Sequence, residues 1–160
     1  MLVRPTTADD WQKLKSLRLA SLQESPDAFG WRYPLAAKLT DEEWKQRAAG
    51  LTYPKFFLAL ENDEPVGIIG CVIDKQAYCL ISMWVKPALR RTGVAELLMD
   101  ELFLHAKKSG YNKVSLMVAP ENKAAFGLYA KRGFVFVDGN EPLESNPKIM
   151  LQKMQMVLPN

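Results

Sequence analysis

The chain of 160 residues is long enough for one domain with its own core, and its content of 48% hydrophobic and 24% charged residues is ordinary for a globular protein. Its formal net charge of +3 is too small to indicate a nucleic-acid binder, which normally carries a concentrated stripe of basic residues. No apolar run is long enough to span a bilayer, and the N-terminus lacks the apolar core of a signal peptide. These features predict a cytoplasmic protein without a nucleic-acid or membrane partner.

The first quarter of the chain predicts a strand, a helix and an irregular segment. Residues 2–5 predict a short edge strand, because Pro5 has no N–H to donate to a neighbouring strand. Thr7 is the predicted N-cap of a helix that ends near Ser25-Pro26, since the residue before proline avoids helical geometry. The apolar stripe of this helix consists of Trp11, Leu14, Leu17, Arg18 and Leu22.

Residues 24–39 mix aromatic side chains with Pro26, Gly30 and Pro34 and show no sustained period. They predict a loop or broken helix that either packs on the core or walls a substrate site, and the two roles are compatible. The next four residues, 40–43, form a capping box that opens a short helix ending at Gly50.

The middle of the chain predicts a hairpin of residues 56–61 and 66–73, followed by a further strand at 78–85. Gly67 and Gly70 indicate a bulge or a crowded contact in the second strand. A core-facing helix follows Gly93 and closes on the cations and glycine of residues 107–110. The strand at 114–118 is joined to its predecessor by this helix, so the two are predicted to be parallel.

The last quarter predicts a short helix up to Lys131, a strand at 134–137, a polar loop at 138–147 and a final strand at 148–156. No internal repeat or linker interrupts the chain. The sequence therefore predicts a single α/β domain over residues 1–160, with an antiparallel front half and βαβ connections behind it.

The turn between the strand at 78–85 and the helix that follows it has the features of a phosphate site. The first N–H groups of a helix have no intrahelical acceptor, and the helix dipole adds positive potential there. Two arginines beside a glycine suit this turn to a diphosphate. The turn reads Arg90, Arg91, Thr92, Gly93, Val94 and Ala95.

These residues resemble the GNAT superfamily of acyl-CoA-dependent N-acetyltransferases. Residues 90–95 satisfy the family pattern Gln/Arg-x-x-Gly-x-Gly/Ala after the fourth strand, and a second signature runs from Asn122 to Leu128-Tyr129 and Gly133-Phe134. Two motifs in the right order and in the expected context make the resemblance specific. It implies a mixed, mostly antiparallel sheet that is splayed at strands 4 and 5 and flanked by helices.

The resemblance also implies where acetyl-CoA binds. The pyrophosphate lies on the amides near Arg91 to Ala95, where Gly93 lets the backbone approach and Ala95 stays small. The pantetheine arm pairs like an extra strand with the end of the fourth strand. The implied cofactor-binding set is Met83, Trp84, Val85, Arg90, Arg91, Thr92, Gly93, Val94, Ala95 and Asn122.

Tyr129 is the family's usual general acid, which protonates the departing thiolate of CoA, as a phenol can do at neutral pH. The alternative is that Tyr129 only packs on the core, because Asn122, Ala125, Phe126 and Tyr129 share one helical stripe. Asn122 is expected to hydrogen-bond the cofactor arm, to cap its helix, or both.

No general base is assigned, since the strand at 78–84 contains no acidic residue. A water relay, or an acid from elsewhere such as Glu24 or Asp27, remains open. His105 lies about three turns into its helix and is expected to be an edge-of-core or surface residue. With one histidine and two cysteines, Cys71 and Cys79, predicted as buried thiols, no metal site is expected.

The sequence predicts an enzyme that transfers acetyl from acetyl-CoA to a primary amine of a small molecule, by direct attack in a ternary complex. The aromatic residues of segment 29–33 are expected to wall a compact pocket, and the mild positive charge argues against polyamine acceptors. The alternatives are a peptide or protein N-acetyltransferase and a CoA-binding regulatory domain without turnover. The last strand and residues 138–147 offer a surface for a homodimer.

Overall fold

The computed structural model describes residues 1–29 and 31–159 and contains one seven-stranded sheet with helices on both faces. The strands are β1 Leu2–Pro5, β2 Lys55–Glu61, β3 Glu64–Asp74, β4 Ala77–Val85, β5 Lys113–Val118, β6 Val135–Leu143 and β7 Asn146–Val157. The helices are α1 Trp11–Glu24, α2 Tyr33–Ala36, α3 Asp41–Ala49, α4 Val94–Lys108 and α5 Lys123–Arg132. Gly30, part of the irregular segment that the sequence indicates, lies outside the described residues.

The sheet is mixed and has the order β1-β2-β3-β4-β5-β7-β6. Its neighbours are antiparallel except for β4 and β5, which are parallel as the helical connection between them predicts. Only Cys79 and Ser115 are in register between these two strands, and beyond that pair the strands separate. The predicted mixed sheet splayed at strands 4 and 5 is therefore confirmed.

Hydrophobic side chains cover both faces of the sheet. One cluster packs α4 and Tyr129 of α5 against β2–β5, and the other packs α1 and α3 against the opposite face of β2–β4. The buried residues of α4 include Val94, Leu98 and Leu102, as its predicted apolar arc requires. The capping box of α3 is present, and Gly50 ends that helix at φ 68°.

Gly67 lets α4 lie close to the sheet. A Cβ atom on Gly67 would be 3.0 Å from Leu98 Cδ1 and 3.2 Å from Val94 Cγ1. Gly70 is tighter still, because its Cβ would meet Phe56 Cδ1 at 2.8 Å. Both glycines mark crowded contacts, and the sheet register also shifts beside each of them, so both predicted features are present. The contact at Gly67 brings the start of α4 next to the end of β4.

The predicted polar loop at 138–147 is wrong. Residues 135–143 continue as β6 and pair with β7, with Asn140 opposite Gln152 and Pro142 opposite Met150. The side chains of β6 are almost all exposed, so the strand has no alternation of apolar and polar residues. Backbone pairing with β7 holds it in the sheet, and composition alone does not report such pairing.

An ion pair fixes the start of α1 to β1. Arg4 donates two hydrogen bonds to Asp10, of 2.7 and 2.9 Å, and the Thr7 N–H donates to the same carboxylate at 2.7 Å. The hydrogen bond from Arg4, which outweighs the opposing effect of burial, lowers the pKa of Asp10 from 3.8 to about 2. Asp10 is only 3% exposed, so this shift contributes to stability.

Asp10→Asn is expected to lower the free energy of unfolding at neutral pH by about 2 kcal/mol, the value that the pKa shift implies. A carboxylate with a depressed pKa stabilises the fold above its unfolded pKa, and this contribution is lost as the pH falls from about 4 to about 2. Denaturant unfolding measured across this range should show wild type and variant converging at the acidic end. Asp9→Asn, at an exposed neighbour, is the control, and an equal loss in both variants would contradict the assignment.

Candidate active site

The end of β4 is distorted by a bulge. Trp84 pairs with Ile68 and Ile81 pairs with Gly70, so Ser82 and Met83 together lie opposite Ile69. Ser82 has φ 59°, a left-handed conformation that non-glycine residues rarely adopt. A bulge bends its strand and increases its twist, which turns the end of β4 away from β5. The main chain near Met83 and Trp84 thereby faces the gap between the separated strands.

The turn after β4 leads into the N-terminus of α4. Arg91 and Gly93 both have positive φ, of 65° and 92°. The Leu97 N–H is the first to bond within the helix, to the Gly93 carbonyl at 3.2 Å, so the preceding amides have no intrahelical acceptor. A Cβ atom on Gly93 would meet no heavy atom within 4 Å. The helix therefore presents donors and positive potential to an open space, which suits an anion.

A cleft with a volume of about 1390 Å³ joins this turn to the gap between β4 and β5. Its walls are residues 25–29, the end of β4, the start of α4, the end of β5, the first turns of α5 and residues 148–151 of β7. Eight of the predicted cofactor-binding residues and the predicted acid line it: Met83, Trp84, Val85, Arg90, Arg91, Gly93, Ala95, Asn122 and Tyr129.

The side chains of Thr92 and Val94 point elsewhere. Val94 is 3% exposed and packs into the core, while the Thr92 hydroxyl donates to the Leu89 carbonyl. Only their main-chain groups are available to a ligand, as an amide cradle requires.

Arg90 is engaged with protein groups. Its Nη2 lies 2.7 Å from Glu24 Oε1, and its Nε donates to the Val85 carbonyl at 3.0 Å. Trp84 donates its indole N–H to the same Glu24 carboxylate at 3.4 Å. The side chain of Arg90 thus connects the end of α1 to the end of β4, and Arg91 is the arginine of the pair without such a partner among the described residues.

Tyr129 is a buried phenol that lines the cleft. Its side chain is 8% exposed and its ring lies edge-on to Phe134, with centroids 5.7 Å apart. Burial raises the pKa of the phenol above its ordinary value, so the hydroxyl keeps its proton. Within the described residues the hydroxyl has no hydrogen-bond partner, and Tyr129 lines the cleft. Core packing and a position at the cleft therefore coexist.

One polar residue caps α5 and another connects α5 to α4. Asn122 caps α5, accepting the Ala125 N–H at 3.3 Å, which is one of the two roles predicted for it. Arg132 donates to the Glu96 carbonyl at 3.1 Å and to Asp100 at 2.7 Å, both on α4. The bonds of Arg132 hold α5, which carries Tyr129, against the helix that follows the Gly93 turn.

The carboxylates near the cleft have different environments. Glu24 is paired with Arg90, whereas Asp27 is exposed and lines the cleft, with Asn146 Nδ2 at 3.5 Å. His105 lies at the edge of the core, as predicted, with Nδ1 2.8 Å from the Tyr78 hydroxyl. Burial, and then Lys55, lowers the pKa of His105, so the ring is neutral.

Sequence reasoning missed the contacts that hold Phe29 and Arg32 against the β6–β7 turn. Ser145 Oγ donates to the Phe29 carbonyl at 2.7 Å, and Arg32 Nε donates to the Ser145 carbonyl at 3.1 Å. These contacts span more than a hundred residues of sequence, so no local pattern signals them. Phe29 lines the cleft, while Trp31 packs on Trp44, so the predicted aromatic wall is only partly formed by segment 29–33.

The burial of Arg18 was also missed, although the sequence contains a signal for it. It is an arginine within the apolar stripe of α1, and the structure buries it to 6% exposure. Among residues 1–29 and 31–159, no helix is long and apolar enough to cross a membrane, and no cluster of metal-ligating side chains is present.

Comparison with known proteins identifies a family. Residues 16–134 match the family described as "Acetyltransferase (GNAT) family". The chain is 34% identical over 86 residues to the uncharacterized N-acetyltransferase MJ1207 of Methanocaldococcus jannaschii, a match that covers 49% of this chain and 38% of that protein. It is 27% identical to the acetyltransferase PseH of Campylobacter jejuni, over 79% of this chain and 86% of that one.

A third relative is the N-alpha-acetyltransferase MAK3 of Arabidopsis thaliana, 29% identical over 64% of this chain and 60% of that protein. The chain thus spans well under half of MJ1207 and about three fifths of MAK3.

Solved structures share the fold. A GNAT-family acetyltransferase from Streptococcus pneumoniae superposes with a TM-score of 0.79 at 24% identity, covering 99% of both chains. YncA of Salmonella typhimurium, a putative acetyltransferase solved with its cofactor acetyl-CoA, also gives a TM-score of 0.79, at 17% identity over 100% of this chain and 95% of that one.

Proposed function

The chain belongs to the GNAT family of acetyltransferases, and on that premise we propose that it transfers acetyl from acetyl-CoA to the primary amine of a small molecule. The observation that carries the proposal is the single cleft that joins the open N-terminus of α4, the splayed end of β4 and the buried phenol of Tyr129. Residues 1–160 would form one N-acetyltransferase domain.

The residues of the cleft fit acetyl-CoA. The amides from Arg91 to Ala95 would hold the pyrophosphate, since Gly93 leaves the space in front of them open. The main chain of residues 83–85 would pair with the pantetheine arm at the gap beside β5, where a bulged strand lacks a neighbour. Asn122, already the cap of α5, would contact the same arm. Acetyl-CoA would supply a thioester, whose carbonyl carbon the amine attacks and from which the CoA thiolate departs.

The chain's own groups position the reactants and move protons. The end of β4 holds the thioester carbonyl in line with the acceptor, and the N–H groups beside the bulge polarise it. Tyr129 donates its proton to the departing sulfur. The acyl group passes directly to the amine, because burial raises the pKa of both Cys71 and Cys79 and keeps them as thiols rather than nucleophilic thiolates.

The attacking amine must also lose a proton, so a general base is needed. Asp27 is the better placed of the two predicted carboxylates, since it lines the cleft and Glu24 is paired with Arg90. Water in the cleft offers a second route, and an acceptor that arrives as the neutral amine needs no strong base. Asp27 and water are therefore the two routes that the proposal includes.

A compact acceptor is supported by the contacts of Ser145 with Phe29 and Arg32, which hold these two residues against the β6–β7 turn at one wall of the cleft. A peptide acceptor is the second candidate, because MAK3 is named an N-alpha-acetyltransferase.

The cytoplasmic location stays a prediction, as does the homodimer. Exposed Val135, Phe136 and Met150 on the outer hairpin would support the dimer.

Thiol release from acetyl-CoA, measured with small amines and with peptides carrying a free N-terminus, tests the proposed function. We expect turnover with small amines and at least about tenfold lower kcat/KM with peptides, since a held wall restricts a longer chain. Higher kcat/KM with peptides would establish the second candidate. Tight binding of CoA without turnover on any amine would instead indicate a regulatory domain.

A further inference from the structure

Two of the three guanidinium nitrogens of Arg18 are buried without a polar partner. Its Nε and Nη1 atoms are inaccessible to solvent and have no hydrogen-bond acceptor. No ion pair within the described part of the chain includes Arg18. Burying a charge without a partner is costly, so such a group in a native fold calls for an explanation.

The immediate neighbours of Arg18 are aromatic or cationic. Its Cζ atom lies 5.6 Å from the ring centroid of Phe29 and 5.3 Å from that of Trp31. Arg47 lies against the same Trp31 ring, with its Cζ 4.9 Å from the centroid. Burial, and then the like charge of Arg47, lowers the pKa of Arg18 to about 10, which leaves the group charged at neutral pH. Two cations therefore share one aromatic side chain.

The position of Phe29 relates this group to the cleft. Phe29 lines the cleft and also lies over the guanidinium, so Arg18 is one aromatic ring behind the cleft wall. The Phe29 carbonyl is held by Ser145, but its side chain can change rotamer without breaking that bond. Lys148, which also lines the cleft, adds positive charge to its wall.

We propose that Arg18 binds an anionic group, a carboxylate or a phosphate, carried by the acceptor amine. A carboxylate or a phosphate accepts hydrogen bonds from the guanidinium N–H groups and neutralises their charge. The surrounding aromatic rings can do neither fully. The proposal rests on the proposed acetyltransferase function and narrows it to amines that carry an acid. The side chain of Phe29 rotates to admit that acid.

Distance along α1 sets the size of the acceptor. Arg18 precedes Glu24 by six residues, or about 9 Å at the rise of an α-helix. Glu24 contacts Trp84 at the end of β4, where the thioester would lie. An acceptor with several bonds between its amine and its acid would span this interval, so the test covers chains of three to six carbons.

The experiment compares amines of matched length that differ only at the far end. Butylamine, 4-aminobutyrate and putrescine form one set; hexylamine, 6-aminohexanoate and 1,6-diaminohexane form another; and 6-aminohexyl phosphate separates phosphate from carboxylate. With the wild-type protein, the preferred acidic amine should show kcat/KM about 30-fold above its neutral partner, mainly through a lower KM, as charged hydrogen bonds typically give. The diamines should be no better than the neutral amines.

Arg18→Met keeps the aliphatic volume and removes the charge. It should abolish the preference for acidic amines, leave kcat/KM for neutral amines unchanged and raise the melting temperature, because an unpartnered buried cation is replaced by an apolar group. Lys45→Met is the control: Lys45 also lies over an aromatic ring, 5.4 Å from Trp11, but it is on the exposed face of α3. This control should retain the preference.

A readout without turnover separates the two proposals. Hexanoate, which has no amine, should raise the melting temperature of the wild type but not of Arg18→Met, and 1-hexanol should affect neither. Stabilisation by hexanoate without turnover on any amine would support the anion site and contradict the proposed function. Turnover with equal kcat/KM for acidic and neutral amines would contradict the anion site alone, as would a preference that survives Arg18→Met. If that variant fails to fold, the wild-type comparisons decide.

Discussion

Tyr129→Phe is expected to lower kcat by about 100- to 1000-fold, the usual contribution of a positioned general acid. The dissociation constant of acetyl-CoA should change less than about twofold, since the hydroxyl acts on the leaving sulfur and not on the bound ground state. Stopped-flow thiol release and equilibrium titration with acetyl-CoA measure the two quantities separately.

In the environment of Tyr129, this substitution removes the hydroxyl without disturbing the packing of the ring. The ring is buried edge-on to Phe134, and phenylalanine keeps that contact. The hydroxyl has no hydrogen-bond partner among the described residues, so removing it breaks no internal bond and should leave the melting temperature unchanged. Burial raises the pKa of the phenol, so the wild type should keep its acid form throughout the neutral and mildly alkaline range.

Tyr78→Phe is the matched control. Tyr78 is also a buried tyrosine, but its hydroxyl bonds to His105 Nδ1 at 2.8 Å on the face of the sheet that carries α4, and the residue does not line the cleft. Removing that hydroxyl should lower stability by about 1 kcal/mol and leave kcat unchanged. Turnover of Tyr129→Phe equal to that of Tyr78→Phe would refute the role of Tyr129 in proton transfer.

Much of the fold could be predicted because its elements have local signals. The capping box at Thr40, the amphipathic face of α4 and the glycine that follows α3 are each determined by a few neighbouring residues. The order of β4, α4 and β5 then requires a parallel pair. The Gly93 turn could be predicted for the same reason, since its chemistry lies within six residues.

The rest depends on contacts that are distant in sequence. Arg90 appears in the sequence as a phosphate ligand, but Glu24 at the end of α1 pairs with it. β6 extends to Leu143 because β7 lies beside it, although its own residues are polar and exposed. Arg18 stands in an apolar stripe, and only the packing of Phe29 and Trp31 around it shows that its charge has no partner.

Gly93→Ala is expected to raise the dissociation constant of acetyl-CoA at least about tenfold while kcat at saturation stays near the wild-type value. The added Cβ would meet no protein atom within 4 Å, so the variant should fold. The methyl group would instead occupy the space in front of the amides at the start of α4, where a phosphate must approach the backbone. Isothermal titration with CoA measures the loss directly.

Backbone strain accompanies this substitution and needs its own control. Gly93 has φ 92°, where an alanine costs about 1–2 kcal/mol. Gly110, two residues beyond the other end of the same helix, has φ 89° and equally open surroundings. Gly110→Ala should therefore lose the same stability as Gly93→Ala and bind CoA like the wild type. If both variants bind CoA equally well, the amides beside Gly93 do not hold the pyrophosphate. If both bind it equally weakly, strain in α4, and not the space at Gly93, controls affinity.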